Sequence, residues 1–290
     1  MTLEGLRCLC AVVETKGFRS AAERLRRSQS AISQQIKALE HESGHTLVDR
    51  KSCRPTPAGE VLYERSRRIL SDAEALERLL REFDESEVSD LRLGTSDTTA
   101  LYMLPEAVRA FSKAFPKTQL SIVNRSSDAI ADLVRRGELD LGIVTLPLNL
   151  DDLTELALFE EKMVLVVPKQ HALAKSPGVT LTELRHEKLL LLEPETRTGR
   201  LLRDHFLRKG FTPQTVLQSG SFEVIKRYVA EGIGLAFLPE LTVPDKDRYL
   251  RKISVAGLPH VQIGAIWRKG AYRKKAQMAF LEFIKGQSTT

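Results

Sequence analysis

The residues best placed to do chemistry lie on one short stretch, Ser28 to Glu40. Ser30, Ser33, Gln34 and Lys37 recur at i, i+3, i+4 and i+7, the spacing of one helix face. Glutamine pairs bidentately with the N6/N7 edge of adenine, serine serves base edges or phosphate oxygens, and lysine reaches phosphate or guanine. Ser28 and Gln29 stand at the start of the same stretch, where a helix N-terminus favours a backbone phosphate. Serine and glutamine are also common on solvated helices, so the face alone fits an ordinary amphipathic surface equally well. A second group follows downstream. Leu47 to Gly59 reads as two short extended pieces around a basic turn, with Arg50, Lys51, Arg54 and Thr56 placed to meet flanking phosphates or the minor groove.

Catalytic and metal chemistry has no comparable footing. The chain shows no GxSxG elbow, P-loop, GxGxxG or HExxH. Its six histidines are scattered; His41 and His45 stand at i, i+4, but Gly44 between them ends that helix. Cys8, Cys10 and Cys53 form neither a CxxC pair nor a disulfide framework and read as reduced thiols. No cofactor and no metal are expected, and the chain is not expected to be an enzyme.

The elements that position the polar face are legible from periodicity. Leu3, Leu6, Leu9, Cys10 and Val13 give a first helix ending near Lys16-Gly17. A second covers Ala21 to Leu25, entered at Gly17 or through a capping box from Ser20 to Glu23, with two alanines that let another helix cross closely. Ser28 caps the third, whose Ile32, Ile36 and Leu39 face inward. Charge agrees: residues 1–68 carry 13 Lys/Arg against 8 Asp/Glu, a basic head, while residues 69–90 carry 2 against 8. No run approaches the ~18 apolar residues of a membrane helix, and Met1 to Arg7 lacks a signal-peptide pattern. No membrane is expected, and the cytoplasm is the expected compartment.

No Gly or Pro falls between Glu60 and Ser89. Leu62, Ile69, Leu76 and Phe83 repeat every seven residues, with Ser66, Ala73 and Leu80 four residues after the first three, a heptad seam fit for dimerisation or for packing on its own domain. Beyond Asp90, extended runs (Leu91 to Gly94, Leu120 to Val123, Leu141 to Val144, Met163 to Val167) alternate with helical ones (Ala107 to Phe115, Ile130 to Arg136), which predicts a mostly parallel sheet flanked by helices. Sites in such folds form past strand C-termini, at helix starts. Hydroxyls stand at several of these points: Ser96, Thr98, Thr99, Ser127, Thr145, Thr196, Thr198, Ser219 and Ser221. Any one of them is equally a plain helix cap.

The segments Ala21 to Leu25, Ser28 to Glu40, Gly44, Leu47, Asp49-Arg50 and Thr56 to Gly59 together closely resemble the signature of LysR-type transcriptional regulators. The family commonly has Pro at position 30 and Phe at 48, where this chain has Ser30 and Val48. Val229 to Pro239 is also similar to the family's helix-to-strand passage. The resemblance implies an α/β protein with an N-terminal winged helix-turn-helix (1–58), a long linker and dimerisation helix (59–89), and an effector domain (90–290). That domain would have two lobes like periplasmic solute-binding proteins: lobe I at about 91–165 and 268–290, lobe II at about 166–267, with crossings near Val167 and Ala265-Ile266. It implies promoter DNA bound by Ser28, Gln29, Ser30, Ser33, Gln34, Lys37, Arg50, Arg54 and Thr56. It implies a small, anionic effector in the cleft held by Ser96, Thr98, Thr99, Ser127, Thr145, Thr198 and Ser221, with Arg197 and Arg200 as further cations or as solvated side chains. The implied assembly is a homodimer or homotetramer, with RNA polymerase as a further partner. An exported solute-binding protein would fit the C-terminal half but not residues 1–87.

Overall fold

The computed structural model describes residues 1–82 and 90–287, and the chain divides into two compact units. In the first, α1 (Leu3–Thr15), α2 (Phe18–Leu25) and α3 (Gln29–Ser43) pack around Leu6, Leu9, Val12, Ala21, Ile32, Ile36 and Leu39, all buried. The α2 helix enters at Gly17, not through the Ser20 capping box. Ala21 and Ala22 are buried, which lets α2 lie close against its neighbours. Left-handed Arg26 (φ 52°) ends α2, and the Ser28 hydroxyl then accepts from Ala31 N at 3.2 Å to start α3. A short return follows, with Val48 bridging antiparallel to Pro55.

The next helix, α4 (Pro57–Glu82), begins at Pro57, a residue type suited to the first helical turn. Gly59 lies so close to the return that a Cβ there would stand 1.9 Å from the Leu47 carbonyl oxygen. The heptad seam divides along this helix. Leu62 packs on the core of the first unit, whereas Ile69, Leu76 and Leu80 are exposed. Phe83 and the expected end of the helix lie outside the described residues.

The second unit contains β1 (Asp90–Thr95), α5 (Asp97–Tyr102), α6 (Pro105–Ala114), β2 (Gln119–Asn124), α7 (Ser127–Arg135), β3 (Leu141–Thr145) and β4 (Leu153–Glu161). The chain then runs through β5 (Met163–Pro168), β6 (Gly178–Val179), β7 (Lys188–Leu192), α8 (Arg197–Arg208), β8 (Gln214–Ser219), α9 (Phe222–Ala230), β9 (Leu235–Pro239) and β10 (Leu250–Val255). It closes with β11 (Val261–Arg268) and α10 (Lys275–Gln287). One sheet has the order β2-β1-β3-β11-β4 and the other β6-β10-β5-β9-β7-β8. Period-2 patterning assigns the faces: Met163, Leu165 and Val167 join the larger core, whereas Val164 and Val166 face Ile225 and Val229 of α9. In the first sheet, Phe111 of α6 and Phe280 of α10 meet edge-on at 5.4 Å on one face, and Ile130 and Val134 of α7 cover the other.

Two sequence expectations need correction. The sheets are mixed, not mostly parallel: β11 runs antiparallel to β3 and β4, and β5 antiparallel to β9 and β10. Strands that carry the chain from one sheet to the other enter from the opposite end. The crossings lie at Lys162 and between Val255 and Val261, not at Val167 and Ala265-Ile266. All of β5 therefore belongs to the second lobe and all of β11 to the first.

Candidate DNA-binding face and effector cleft

The α3 face is only partly tied to the protein, through Ser28, Ser30 and Ser33. Ser28, Gln29, Ser30, Gln34 and Lys37 are exposed and Ser33 is half-buried. Among the described residues, no hydrogen bond to the protein holds the side chains of Gln29, Gln34, Lys37 or Arg54, so their donors and acceptors remain available. Other cations nearby are committed: Arg24 pairs with Glu14 at 2.6 Å and Arg27 with Glu4 at 3.4 Å. Arg50 is also held. Its guanidinium meets the Glu40 carboxylate at 2.7 Å, lies 3.5 Å from the Ser33 hydroxyl and sits over the Phe18 ring at 5.0 Å.

Glu40, which had no role in the sequence reading, fastens the wing to α3. Its second carboxylate oxygen accepts from Leu47 N at 2.9 Å and Val48 N at 3.3 Å. Spacing along the helix gives no sign of this role, because the partners of Glu40 lie across a turn. Asp49 shapes the tip by accepting from Lys51 N and Ser52 N, which hold its carboxyl below the usual range. The Thr56 hydroxyl donates to Thr46 O at 2.6 Å and accepts from Gly59 N at 3.1 Å. Its proton is spent inside the protein, so Thr56 positions the wing and has no proton free for a phosphate.

In the second unit, the seven expected effector residues all line one cavity of about 510 Å³ between the two sheets. Each arrives at an element end. Ser96 caps α5, accepting from Thr99 N at 3.3 Å and meeting the Thr99 hydroxyl at 3.0 Å; Thr98 follows in the first turn. Ser127 starts α7 and accepts from Thr145 N, the last residue of β3, at 3.1 Å. Thr196 caps α8 by accepting from Gly199 N at 3.0 Å, with buried Thr198 beside it. Gly199 is required there, since a Cβ would stand 2.2 Å from Glu193 O. Ser221 precedes α9 without making a side-chain cap. The starts of α7, α8 and α9 thus converge on one space, where unpaired helix N–H groups favour an anion.

Arg197 and Arg200 are both ion-paired, though Arg200 stays partly exposed. Arg197 Nε meets Asp128 at 2.7 Å and Arg200 meets the other Asp128 oxygen at 2.6 Å, while Arg197 also donates to Pro147 O. Burial works against ionising Asp128, but the hydrogen bonds and charges of Arg200 and Arg197 outweigh it and hold the carboxyl below its usual range. This is one bridge between the lobes; Tyr102, which donates to Glu223 at 2.8 Å and accepts from Lys226, is another. Arg200 does not line the cavity. Residues not anticipated from sequence do: Arg125, Glu161, Glu193 and Glu195, with Met103, Met163 and Phe222 as apolar wall. Burial, opposed by the Leu241 N–H and reinforced by Glu240, pushes the Glu161 carboxyl up to about 7.

Among the described residues there is no group of three or more His, Cys, Asp or Glu arranged for a metal, and no helix long and apolar enough to cross a membrane. Residues 3–60 match the model of the bacterial regulatory helix-turn-helix protein of the lysR family, and residues 84–289 that of the LysR substrate binding domain. The chain is 31% identical to a hydrogen peroxide-inducible genes activator of Dickeya chrysanthemi, over 85% of this chain and 81% of the relative. It is also 31% identical to the transcriptional regulator SsuR of Burkholderia cenocepacia, over 94% of this chain and 91% of that one. A full-length OxyR variant from Pseudomonas aeruginosa superposes with a TM-score of 0.75 at 26% identity, covering 98% of this chain and 95% of the other.

Proposed function

Because the chain belongs to the LysR family of DNA-binding transcriptional regulators with an effector-binding C-terminal domain, we propose that α3 reads promoter DNA and that the cleft between the two sheets takes the effector. Gln29, Ser30, Ser33, Gln34 and Lys37 address bases or adjoining phosphates in the major groove, and Ser28, Arg50 and Arg54 the flanking backbone. One observation carries this reading. Gln29, Gln34, Lys37 and Arg54 are unengaged on a capped helix and its wing, in a unit whose Arg24 and Arg27 are tied to carboxylates.

The effector carries an anionic group, held by Ser96, Thr98, Thr99, Ser127, Thr145, Thr198 and Ser221 and by the helix starts beside them. Among the described residues, the cavity lining contains no histidine, lysine or cysteine. This bears on the peroxide-responsive relative: all three cysteines lie within residues 1–53, so a thiol-based peroxide sensor in the effector domain has no residue to use. Of the three, Cys8 and Cys10 are buried, and burial pushes the Cys10 thiol up to about 12, away from the reactive thiolate. Effector binding shifts the protein only as far as it prefers one lobe arrangement over another. The regulator works in the cytoplasm as a homodimer or homotetramer paired through α4, and engages RNA polymerase at the promoter.

The test is retardation of the DNA upstream of the protein's own reading frame, with Gln34→Ala and Lys37→Ala across a salt titration. Loss of a base contact should cost roughly 1–3 kcal/mol. Loss of a phosphate contact should lower the salt slope by about 1. If both variants follow the parent at every salt concentration, α3 does not read this DNA.

A further inference from the structure

The anion-seating helix starts account for only part of the cavity wall. Four carboxylates line it, Asp97, Glu161, Glu193 and Glu195, against two guanidiniums, Arg125 and Arg197, and Arg197 is already engaged by Asp128. Glu161 differs from the other three acids, which are exposed. It ends β4 at the crossing between the sheets and is only 8% exposed. Its Oε1 accepts from Leu241 N at 3.4 Å; Oε2 has no partner among the described residues. Oε2 is not sealed from solvent, so the single long contact to Leu241 N leaves an accessible acceptor on a nearly buried carboxyl.

The protein's own cations near it are turned elsewhere. Lys162, the next residue, lies 3.5 Å from Glu240, and Lys252 on β10 lies 4.0 Å from Glu240 and also pairs with Asp245. Glu160, beside it on β4, meets His260 at 3.3 Å. Glu240, which follows β9, is the charge that acts on Glu161, and it repels.

Resting on the reading of the cleft as the effector site, we propose that the effector is a small amine-bearing acid, with its anionic group at the starts of α7, α8 and α9 and its ammonium on Glu161. A plain anion would leave Glu161 unpaired and add to the negative charge of the wall. An ammonium supplies the donor that Oε2 lacks and offsets the acidic excess. The apolar side chains of Met163, Phe222 and Ile263 suit a carbon skeleton, and the cavity has the size of ordinary small-molecule sites, roughly 300–1,000 Å³. Proton linkage follows. With its carboxyl raised to about 7, Glu161 is partly protonated at neutral pH, and an ammonium brought against it expels that proton. Binding at pH 7 should release about half a proton.

The experiment is calorimetric titration of the full chain in two buffers of different ionisation enthalpy, using pairs of acids that differ only in one amine: alanine and propionate, serine and 3-hydroxypropionate, aspartate and succinate, glutamate and glutarate. At least one amine-bearing member should bind about tenfold or more tightly than its partner, with proton release. Glu161→Gln should remove that preference and the proton release, while the deaminated partner, no longer facing the carboxylate, should bind the variant at least as well as it binds the parent. The proposal is overturned if every deaminated acid binds as well as its partner, if binding takes up protons, or if no amine-bearing acid binds. Thr198→Val separates the two readings. If it weakens a deaminated acid that Glu161→Gln does not weaken and no amine preference exists, the cleft remains the effector site and the amine assignment alone fails. If acids bind and neither substitution matters to any of them, both fail.

Discussion

On α3, Ser30, Gln34 and Lys37 stand exposed along two turns of one helix, while around the cavity Thr99 and Thr198 are buried and the seven hydroxyls come from element ends spread between Ser96 and Ser221. The side chains are alike and their obligations are not. Gln29, Gln34 and Lys37 on the helix face bond nothing among the described residues. In the cleft, Ser96 serves Thr99, Ser127 serves Thr145, and Thr196 serves Gly199 before any ligand arrives. A convex reading face needs only a stable helix behind it. A concave site is assembled from structural caps, so substitutions there should disturb folding as well as binding, whereas substitutions on α3 should disturb binding alone.

The largest expected effect tests whether that helix can be lost through its support. Gly59→Ala places a methyl 1.9 Å from Leu47 O, a backbone atom that cannot swing aside. The cost should be on the order of 3 kcal/mol or more. Hydrogen exchange should show α1 to α3 losing protection and DNA binding should disappear, while β5 and β9 remain protected. Equal loss of protection in those strands would show that the two sites do not depend on separate supports.

Pairing of two recognition helices is the next contrast. Leu76 and Leu80 are 58% and 60% exposed on α4, so replacing both with lysine should barely change the stability of one chain. Between paired chains the same change should cost on the order of 2–4 kcal/mol of association. Sedimentation measures it, and an unchanged mass with operator affinity intact would move the oligomer contact to another surface.

The cleft should also carry a pH dependence that α3 lacks. The Glu161 carboxyl stands at about 7 folded against an ordinary 4.5, so between those values the folded chain holds a proton that the unfolded chain has released. Stability therefore falls as pH rises through that window, by up to about 3 kcal/mol above it. Glu161→Gln should flatten this slope, with stability gained at pH 8 and nearly unchanged at pH 4.5. Chemical denaturation at both pH values decides: a variant that keeps the parent's slope would mean that another group sets it.

Much of the first unit was legible because apolar spacing and the Ser28 cap are local, whereas the helix start at Pro57, read as part of an extended wing, and the Glu40 tie to Leu47 and Val48 were not. The hydroxyls of the cleft were legible for a related reason, since helix starts after strands can be read without knowing which strands are neighbours. What failed to show was non-local. Arg197 and Arg200 look solvated until α7 brings Asp128 to them across the cleft. β4 was missed because Leu153 to Glu161 carries three glutamates and no clean alternation. Glu160-Glu161-Lys162 reads as a polar break between two apolar runs; only the crossing of the chain between sheets turns its middle residue inward. The lobe boundaries shifted for the same reason, because a crossing is fixed by sheet order.

Ser28 offers the smallest effect and the finest test, since it is the one residue of the DNA-binding face that also works as the cleft hydroxyls do. Its Oγ accepts from Ala31 N at 3.2 Å and lies 2.9 Å from the Ser30 hydroxyl, yet the residue remains exposed where a phosphate would approach. Ser28→Ala should cost about 1 kcal/mol of stability by removing the cap. Ser28→Asp keeps an acceptor for Ala31 N and sets a negative charge at the positive end of α3, so stability should return to within about 0.5 kcal/mol of the parent or exceed it. The same charge would face the DNA backbone. If Ser28 stands at a phosphate, the Asp variant should bind promoter DNA more weakly than the Ala variant despite folding better, and the deficit should shrink as salt screens the repulsion. If Ser28 only caps the helix, DNA affinity should follow stability and the Asp variant should bind as the parent does. Denaturation and retardation measured together on the two variants separate these outcomes, because stability and affinity move in opposite directions only when the residue holds both roles.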